Sequence, residues 1–200
     1  MKRIMFALLA GFFIINAAAQ EKPEGLFINS KAPDFKGKDQ NGTELNLKDL
    51  RKQGPVVLVF YRGYWSPYCN RYLKTLQDSL EQIKAKAAQV IAITPERDSG
   101  IIKTIEKTNA TYSIITDEGM KIMKAYEVLY KMNEKEVSRL KISNVDVAVN
   151  NGQKPDEVYL PVTAVYVIGK DGEIKYRFFE PDYKKRASVK DILNNLNGLK

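Results

Sequence analysis

The 200-residue chain contains no histidine and a single cysteine, Cys69. An intramolecular disulfide therefore cannot form, and no imidazole is available as a general base or a metal ligand. The acidic residues are scattered and do not follow the spacing of a calcium-binding loop. We therefore expect neither a metal nor a cofactor, and Cys69 becomes the candidate for covalent chemistry.

The chain also lacks internal repeats, low-complexity tracts and long Gly/Ser linkers. Its length suits one domain with a substantial core better than two small domains. We therefore predict a single domain over residues 20–200.

Residues 1–19 have the pattern of a secretory signal peptide. Lys2 and Arg3 precede an apolar run from Ile4 to Ile15, and three alanines follow at positions 17–19. Because the run is shorter than the roughly 20 apolar residues of a membrane-spanning helix, we expect cleavage near Gln20. The protein is then periplasmic or secreted, with no stable membrane anchor after cleavage.

The formal net charge is +8. A basic chain can bind nucleic acid, but export makes that partner unexpected. The lysines are spread along the sequence, and the one dense basic run is Lys184 to Arg186. We interpret these residues as a solvated basic face and predict no nucleic-acid partner.

The hydrophobic pattern alternates between strands and helices. Asn41-Gly42 predicts a hairpin turn between Phe35 and Leu45. Further strands are predicted at 56–60, 90–93 and 112–115, a second hairpin at 164–168 and 174–179, and helices at 66–88, 101–105, 120–126 and 189–196. This order predicts an α/β fold with a central mixed sheet, helices on both faces and an N-terminal hairpin extension.

The helix predicted from residue 66 carries the cysteine. Ser66 suits the N-cap and Pro67 the first helical position. Cys69 then lies in the first turn, where unpaired N–H groups and the helix dipole favour a thiolate. The hydroxyl of Ser66 either donates a hydrogen bond to the sulfur or only caps the helix.

Residues 129–160 are harder to interpret. A charged segment at 133–140 is compatible with a helix, and a turn-rich segment follows at 150–155. Roughly 30 residues is long for a connection inside a small domain. We expect either an inserted subelement or a mobile flap.

Several segments resemble the alkyl hydroperoxide reductase and thiol-specific antioxidant family, particularly its peroxiredoxin-like members. The first matching segments are Ala32–Phe35, Val56–Gly63 and Trp65–Cys69, and later ones follow in the family's order at 90–95, 116–119 with 125–126, and 160–172. The resemblance implies a thioredoxin-like three-layer sandwich and an antioxidant peroxidase. It also implies a hydroperoxide substrate, an external thiol or thioredoxin-like reductant, and a homodimer as one expected assembly.

The resemblance also suggests roles for individual residues. Cys69 corresponds to the peroxidatic cysteine, and Ser66 corresponds to the Thr or Ser that orients it. Thr163 lies where peroxiredoxins have an arginine that supports the thiolate and the peroxide. We therefore predict Arg62, at the end of the first buried strand, as the substitute that polarises the peroxide; the alternative is that Arg62 pairs with a surface carboxylate.

Two alternatives remain open. Many relatives have a second cysteine at the position of Ser66, so the chain could be a redox-inactive binding or interaction module that has lost a Cys-x-x-Cys pair. Cys69 would then be a small buried hydrophobic residue on the apolar stripe of its helix. The other alternative is disulfide reduction through a mixed disulfide, without a resolving cysteine.

Overall fold

A computed structural model describes residues 23–199, so the predicted signal peptide lies outside the described residues. The domain begins with the predicted hairpin, in which β1 (Lys36–Lys38) pairs antiparallel with β2 (Glu44–Asn46). The Asp39 carboxylate accepts hydrogen bonds from the amides of Asn41 and Thr43 and so holds the turn. Helix α1 (Leu47–Gln53) follows directly and was not predicted.

Within residues 23–199 the central sheet has five strands, in the order β5-β4-β3-β8-β9. Strands β3 (Val56–Phe60), β4 (Gln89–Thr94) and β5 (Ser113–Thr116) are parallel. Strands β8 (Thr163–Ile168) and β9 (Ile174–Glu180) form the second predicted hairpin, and β8 pairs antiparallel with β3. The predicted mixed sheet is therefore confirmed.

The sheet is buried on both faces. Side chains alternate along β3, so that Val57 and Val59 face one cluster while Val56, Leu58 and Phe60 face the other. The first cluster is covered by α2 (Pro67–Asp78), α3 (Leu80–Lys84), α4 (Asp98–Thr108) and α8 (Val189–Leu196). The second is covered by α1 and α5 (Lys121–Ala125), which gives the three-layer α/β sandwich.

The helix predicted over residues 66–88 is two helices. Ser79 lies outside helical geometry at φ −104° and ψ 4°, and its amide is shared between carbonyls of the last turn of α2. The apolar stripe nevertheless continues, because Leu80 and Ile83 of α3 remain in the same cluster as Leu73 and Leu76. The periodicity therefore describes the buried face correctly but does not reveal the break.

Residues 129–161 form a subelement with secondary structure of its own. It contains β6 (Leu129–Lys131), α6 (Glu134–Ile142), α7 (Val147–Asn151) and β7 (Tyr159–Pro161), and β6 pairs antiparallel with β7. A capping box between Asn133 and Glu136 starts α6. A third apolar cluster joins this subelement to Trp65, just before α2. No helix among residues 23–199 is long and apolar enough to cross a bilayer.

Candidate active site

Cys69 is a free thiol in the first turn of α2 and is only 2% exposed. Its amide donates a hydrogen bond of 3.4 Å to the hydroxyl of Ser66, which is the N-cap, and Pro67 occupies the first turn as predicted. Among the described residues, no hydrogen bond joins the Ser66 hydroxyl to the Cys69 sulfur. The capping role of Ser66 is therefore visible, and its role in orienting the sulfur stays a prediction.

The side chain that contacts the sulfur is Arg186. Its Nη2 donates to Cys69 Sγ at 3.4 Å, across 117 residues of sequence. Nη1 donates to the hydroxyl of Thr163, also at 3.4 Å, and to the carbonyl oxygens of Tyr183 and Lys185. A permanently charged guanidinium held in this way favours a negative charge on the sulfur.

Sequence reasoning missed Arg186. It ends the run from Lys184 that was interpreted as a solvated basic face. Lys184 and Lys185 are exposed as expected, but Arg186 is half-buried and turned toward the thiol. Thr163, where the family's arginine is absent, is one of the groups that hold it. Nothing local in the sequence distinguishes this arginine from its two neighbours.

Arg62 lies in the loop between β3 and α2, as predicted, but within a different set of contacts. Its guanidinium carbon lies 5.1 Å from the ring centroid of Trp65 and 4.8 Å from that of Tyr183. Among the described residues it makes no hydrogen bond to Cys69. Its predicted role in polarising the peroxide therefore stays a prediction.

A buried carboxyl group, also missed, holds the same loop from the other side. Glu96 follows β4 and is 0% exposed, and its Oε1 accepts the amide hydrogen of Tyr64 at 2.9 Å. A Cβ added at Gly63, which has φ +150°, would lie 2.5 Å from this oxygen, so the close approach requires glycine. One sequence feature could have revealed Glu96. It is an acidic residue that directly follows the buried strand β4 and the Thr94-Pro95 pair at the end of that strand.

The electrostatics of Glu96 are unusual. Burial raises its pKa from 4.5 to about 7, although the Tyr64 amide and the charges of Lys103 and Lys107 act in the opposite direction. Its Oε2 is buried and has no hydrogen-bond partner in the described part of the chain. Lys107 donates to the carbonyl oxygen of Tyr64 at 3.2 Å, so the backbone of this loop residue is held at both ends.

The site contains a thiol, a helix N-terminus and a guanidinium on the sulfur. This set can stabilise a thiolate and the negative charge on an oxygen that leaves beside it. Within residues 23–199, no three His, Cys, Asp or Glu side chains are grouped to hold a metal ion.

The sequence was compared with protein families and with known proteins. A family model described as the AhpC/TSA family matches residues 28–177. The chain is 26% identical over 170 residues to the chloroplastic peroxiredoxin Q of Triticum aestivum, covering 82% of this chain and 66% of that protein. It is 32% identical over 99 residues to the chloroplastic peroxiredoxin Q of Gentiana triflora, covering 50% of this chain and 45% of that one. The chain thus spans between about half and two thirds of the length of these relatives.

Solved structures show the same fold at low sequence identity. Peroxidoxin BcpB from Mycobacterium tuberculosis superposes with a TM-score of 0.66 at 18% identity, covering 86% of this chain and 97% of that chain. A cysteine-to-serine mutant of peroxiredoxin 6 from Arenicola marina gives 0.69 at 17% identity, covering 88% and 74%. These similarities confirm the predicted thioredoxin-like architecture.

The first prediction concerns the cap of α2. Ser66→Ala removes the acceptor for the Cys69 amide and should lower the free energy of unfolding by about 1 kcal/mol in urea titrations. Ser188→Ala is the matched control, because Ser188 is the N-cap of α8 but its side chain makes no capping hydrogen bond. Equal losses in the two variants would contradict the capping role of Ser66.

The second prediction concerns Glu96. Because its pKa is raised in the folded protein, the stability that it contributes is fully present below pH 4.5 and is lost as pH rises through about 7. Relative to the Glu96→Gln variant, the unfolding free energy of the wild type should fall by about 3 kcal/mol between these pH values. Urea unfolding at several pH values measures this difference, and parallel pH profiles for the two proteins would contradict it.

Proposed function

The chain belongs to the AhpC/TSA family, and on that premise we propose that it is an exported one-cysteine peroxidase that reduces hydroperoxides through Cys69. The observation that carries the proposal is the 3.4 Å contact between Arg186 and the Cys69 sulfur at the start of α2. A cysteine that served only as a small core residue would not need a guanidinium on its sulfur, because a neutral thiol is a weak hydrogen-bonding group.

The peroxidase step needs the Cys69 thiolate, a hydroperoxide and a proton from solvent. The Cys69 thiolate attacks the terminal oxygen of a hydroperoxide, an S–O bond forms and the O–O bond breaks. The sulfur is oxidised to a sulfenic acid, and the peroxide is reduced to an alcohol or to water when the leaving oxygen takes up a proton from solvent, which replaces the proton lost when the Cys69 thiol became a thiolate. Arg186 is positioned to stabilise the thiolate and the charge on the departing oxygen.

The enzyme must then be recycled by another molecule. Since the chain has one cysteine, no second thiol of the same chain can resolve the sulfenic acid. An external thiol, either a small molecule or a thioredoxin-like protein, attacks the sulfur, releases water and leaves a mixed disulfide. A second external thiol then releases Cys69 and completes the two-electron reduction.

Access to the sulfur requires movement. Residues 181–188 connect β9 to α8 and bring both Arg186 and Tyr183 over the site. Because Cys69 is 2% exposed, a peroxide reaches the sulfur when the exposed part of this loop shifts while Arg186 keeps its contact with the sulfur. Most of the loop is exposed to solvent, which is compatible with such a motion.

The same proposal includes export of the protein, with cleavage near residue 20 and a periplasmic or secreted location. This part rests on the sequence of residues 1–19. The homodimer expected from the resemblance is also part of it. So are the absence of a nucleic-acid partner and of a membrane anchor after cleavage.

A second candidate function is a redox-inactive binding module that has lost a cysteine at position 66. The observation that favours it is the burial of Cys69, which is typical of a structural cysteine. In that case Ser66 does nothing beyond capping α2, and the exposed surface of residues 129–160 carries the function.

The third prediction separates the two candidates. Purified wild-type protein should consume hydrogen peroxide or cumene hydroperoxide with dithiothreitol as the electron donor, and Cys69→Ser should abolish the consumption. Circular dichroism of the variant checks that the nearly isosteric change leaves the fold intact. Absence of consumption by the wild type, or full activity in Cys69→Ser, would rule out the peroxidase and favour the binding module.

A further inference from the structure

Arg62 is a buried cation in an aromatic cage. The residue is 7% exposed, and its guanidinium lies against the rings of Trp65 and Tyr183. The rings of Trp65 and Tyr183 thus form an aromatic cage around this guanidinium.

This guanidinium has no counter-ion within residues 23–199. None of the ion pairs formed there includes Arg62. Its Nε is buried without a hydrogen-bond partner. Arg186 is different, because its donors are used by a sulfur, a hydroxyl and two carbonyl groups.

An arginine side chain stays protonated in a protein, so burial cannot be relieved by loss of the proton. Burial of a charge without a partner is strongly unfavourable, and contacts with aromatic faces offset it only in part. An anion that reached Arg62 would therefore gain a bidentate, partly desolvated partner.

The position of Arg62 connects it to the thiol. It lies four residues before Ser66, the cap of the helix that carries Cys69. Tyr183, whose ring stacks on the guanidinium of Arg62, belongs to the same loop that holds Arg186 on the sulfur. Tyr183 is 39% exposed, so an incoming molecule can displace its ring and reach the guanidinium beside the active site.

We propose that Arg62 forms a carboxylate-binding subsite beside the start of the helix that carries Cys69, lined by Trp65 and Tyr183. It takes a small molecule with an apolar body and a carboxylate, because aromatic rings surround the charge. Such a molecule is either an acidic organic hydroperoxide or an acidic thiol reductant. The role of the subsite in turnover rests on the proposed peroxidase function, but the binding itself does not.

Binding can be measured without any enzymatic activity. Trp65 is the single tryptophan of the chain and contacts Arg62, so its fluorescence reports on the subsite. Titration with hexanoate should give a saturable change, whereas 1-hexanol should bind at least about tenfold more weakly, as expected for loss of a charge-assisted hydrogen bond. Equal binding of the acid and the alcohol, or no saturable change with hexanoate, would overturn the proposal.

Variants assign the binding to Arg62. Arg62→Gln should weaken hexanoate binding about tenfold or more. Arg62→Lys keeps the charge but lacks the planar fork, so it should weaken hexanoate binding while keeping a preference for the acid over the alcohol, and this loss serves as the test if the glutamine variant does not fold. The matched control is Arg71→Gln, since Arg71 is exposed and stacks on the neighbouring Tyr68. Unchanged affinity in Arg62→Gln, or an equal loss in Arg71→Gln, would contradict the assignment.

Kinetics then identify the source of the carboxylate. One arm compares kcat/KM for linoleic acid hydroperoxide and its methyl ester, and the other compares mercaptoacetate with 2-mercaptoethanol as the reductant. The wild type should prefer the acid in one arm, and Arg62→Gln should lose that preference. If neither ratio changes in the variant, Arg62 does not recruit a reactant. If the wild type consumes no peroxide, the proposed function fails while the fluorescence titration still decides the binding.

Discussion

The contact between Arg186 and Cys69 depends on the pairing of three strands. Antiparallel pairing places Ala164 of β8 opposite Phe60 of β3, so Thr163 lies beside the point where the chain leaves β3 toward α2. Strand β9 ends with Glu180 opposite Thr163, and the chain therefore leaves β9 at the same edge. The loop that follows brings Arg186 back over the first turn of α2, with the hydroxyl of Thr163 as one of its supports. The sheet register thus brings the thiol and its cation together.

Two buried ionisable side chains, Glu96 and Arg62, lie at the loop between β3 and α2 and make different contacts there. Glu96 accepts the amide hydrogen of Tyr64, so it fixes the path of the backbone that leads to the helix cap. Arg62 points into the aromatic cage and forms no ion pair with any of residues 23–199. Burial of either charge is unfavourable for folding. Their positions next to a candidate nucleophile fit the general observation that unfavourable electrostatics concentrate at functional sites.

Local patterns in the sequence predicted most of the fold. The run from Val56 to Phe60, the two hairpins and the Ser66-Pro67 helix start are signals carried by neighbouring residues. The break at Ser79 was missed because the apolar stripe continues across it. Helix α1 was missed because it is short. In the site, Cys69 and the capping role of Ser66 were predicted. Arg186 was not, because its contact with the sulfur spans 117 residues and arises only when the sheet is assembled.

Trapping of the oxidised cysteine tests the account most directly. The protein is treated with equimolar hydrogen peroxide and dimedone, and the adduct on Cys69 is followed by mass spectrometry. We expect a sulfenic acid adduct in the wild type and formation about 10- to 100-fold slower in Arg186→Gln, which loses a charge-assisted contact to the sulfur. Lys184→Gln, in the exposed part of the same loop, should react like the wild type. No adduct in the wild type, or equal rates in Arg186→Gln, would contradict the account.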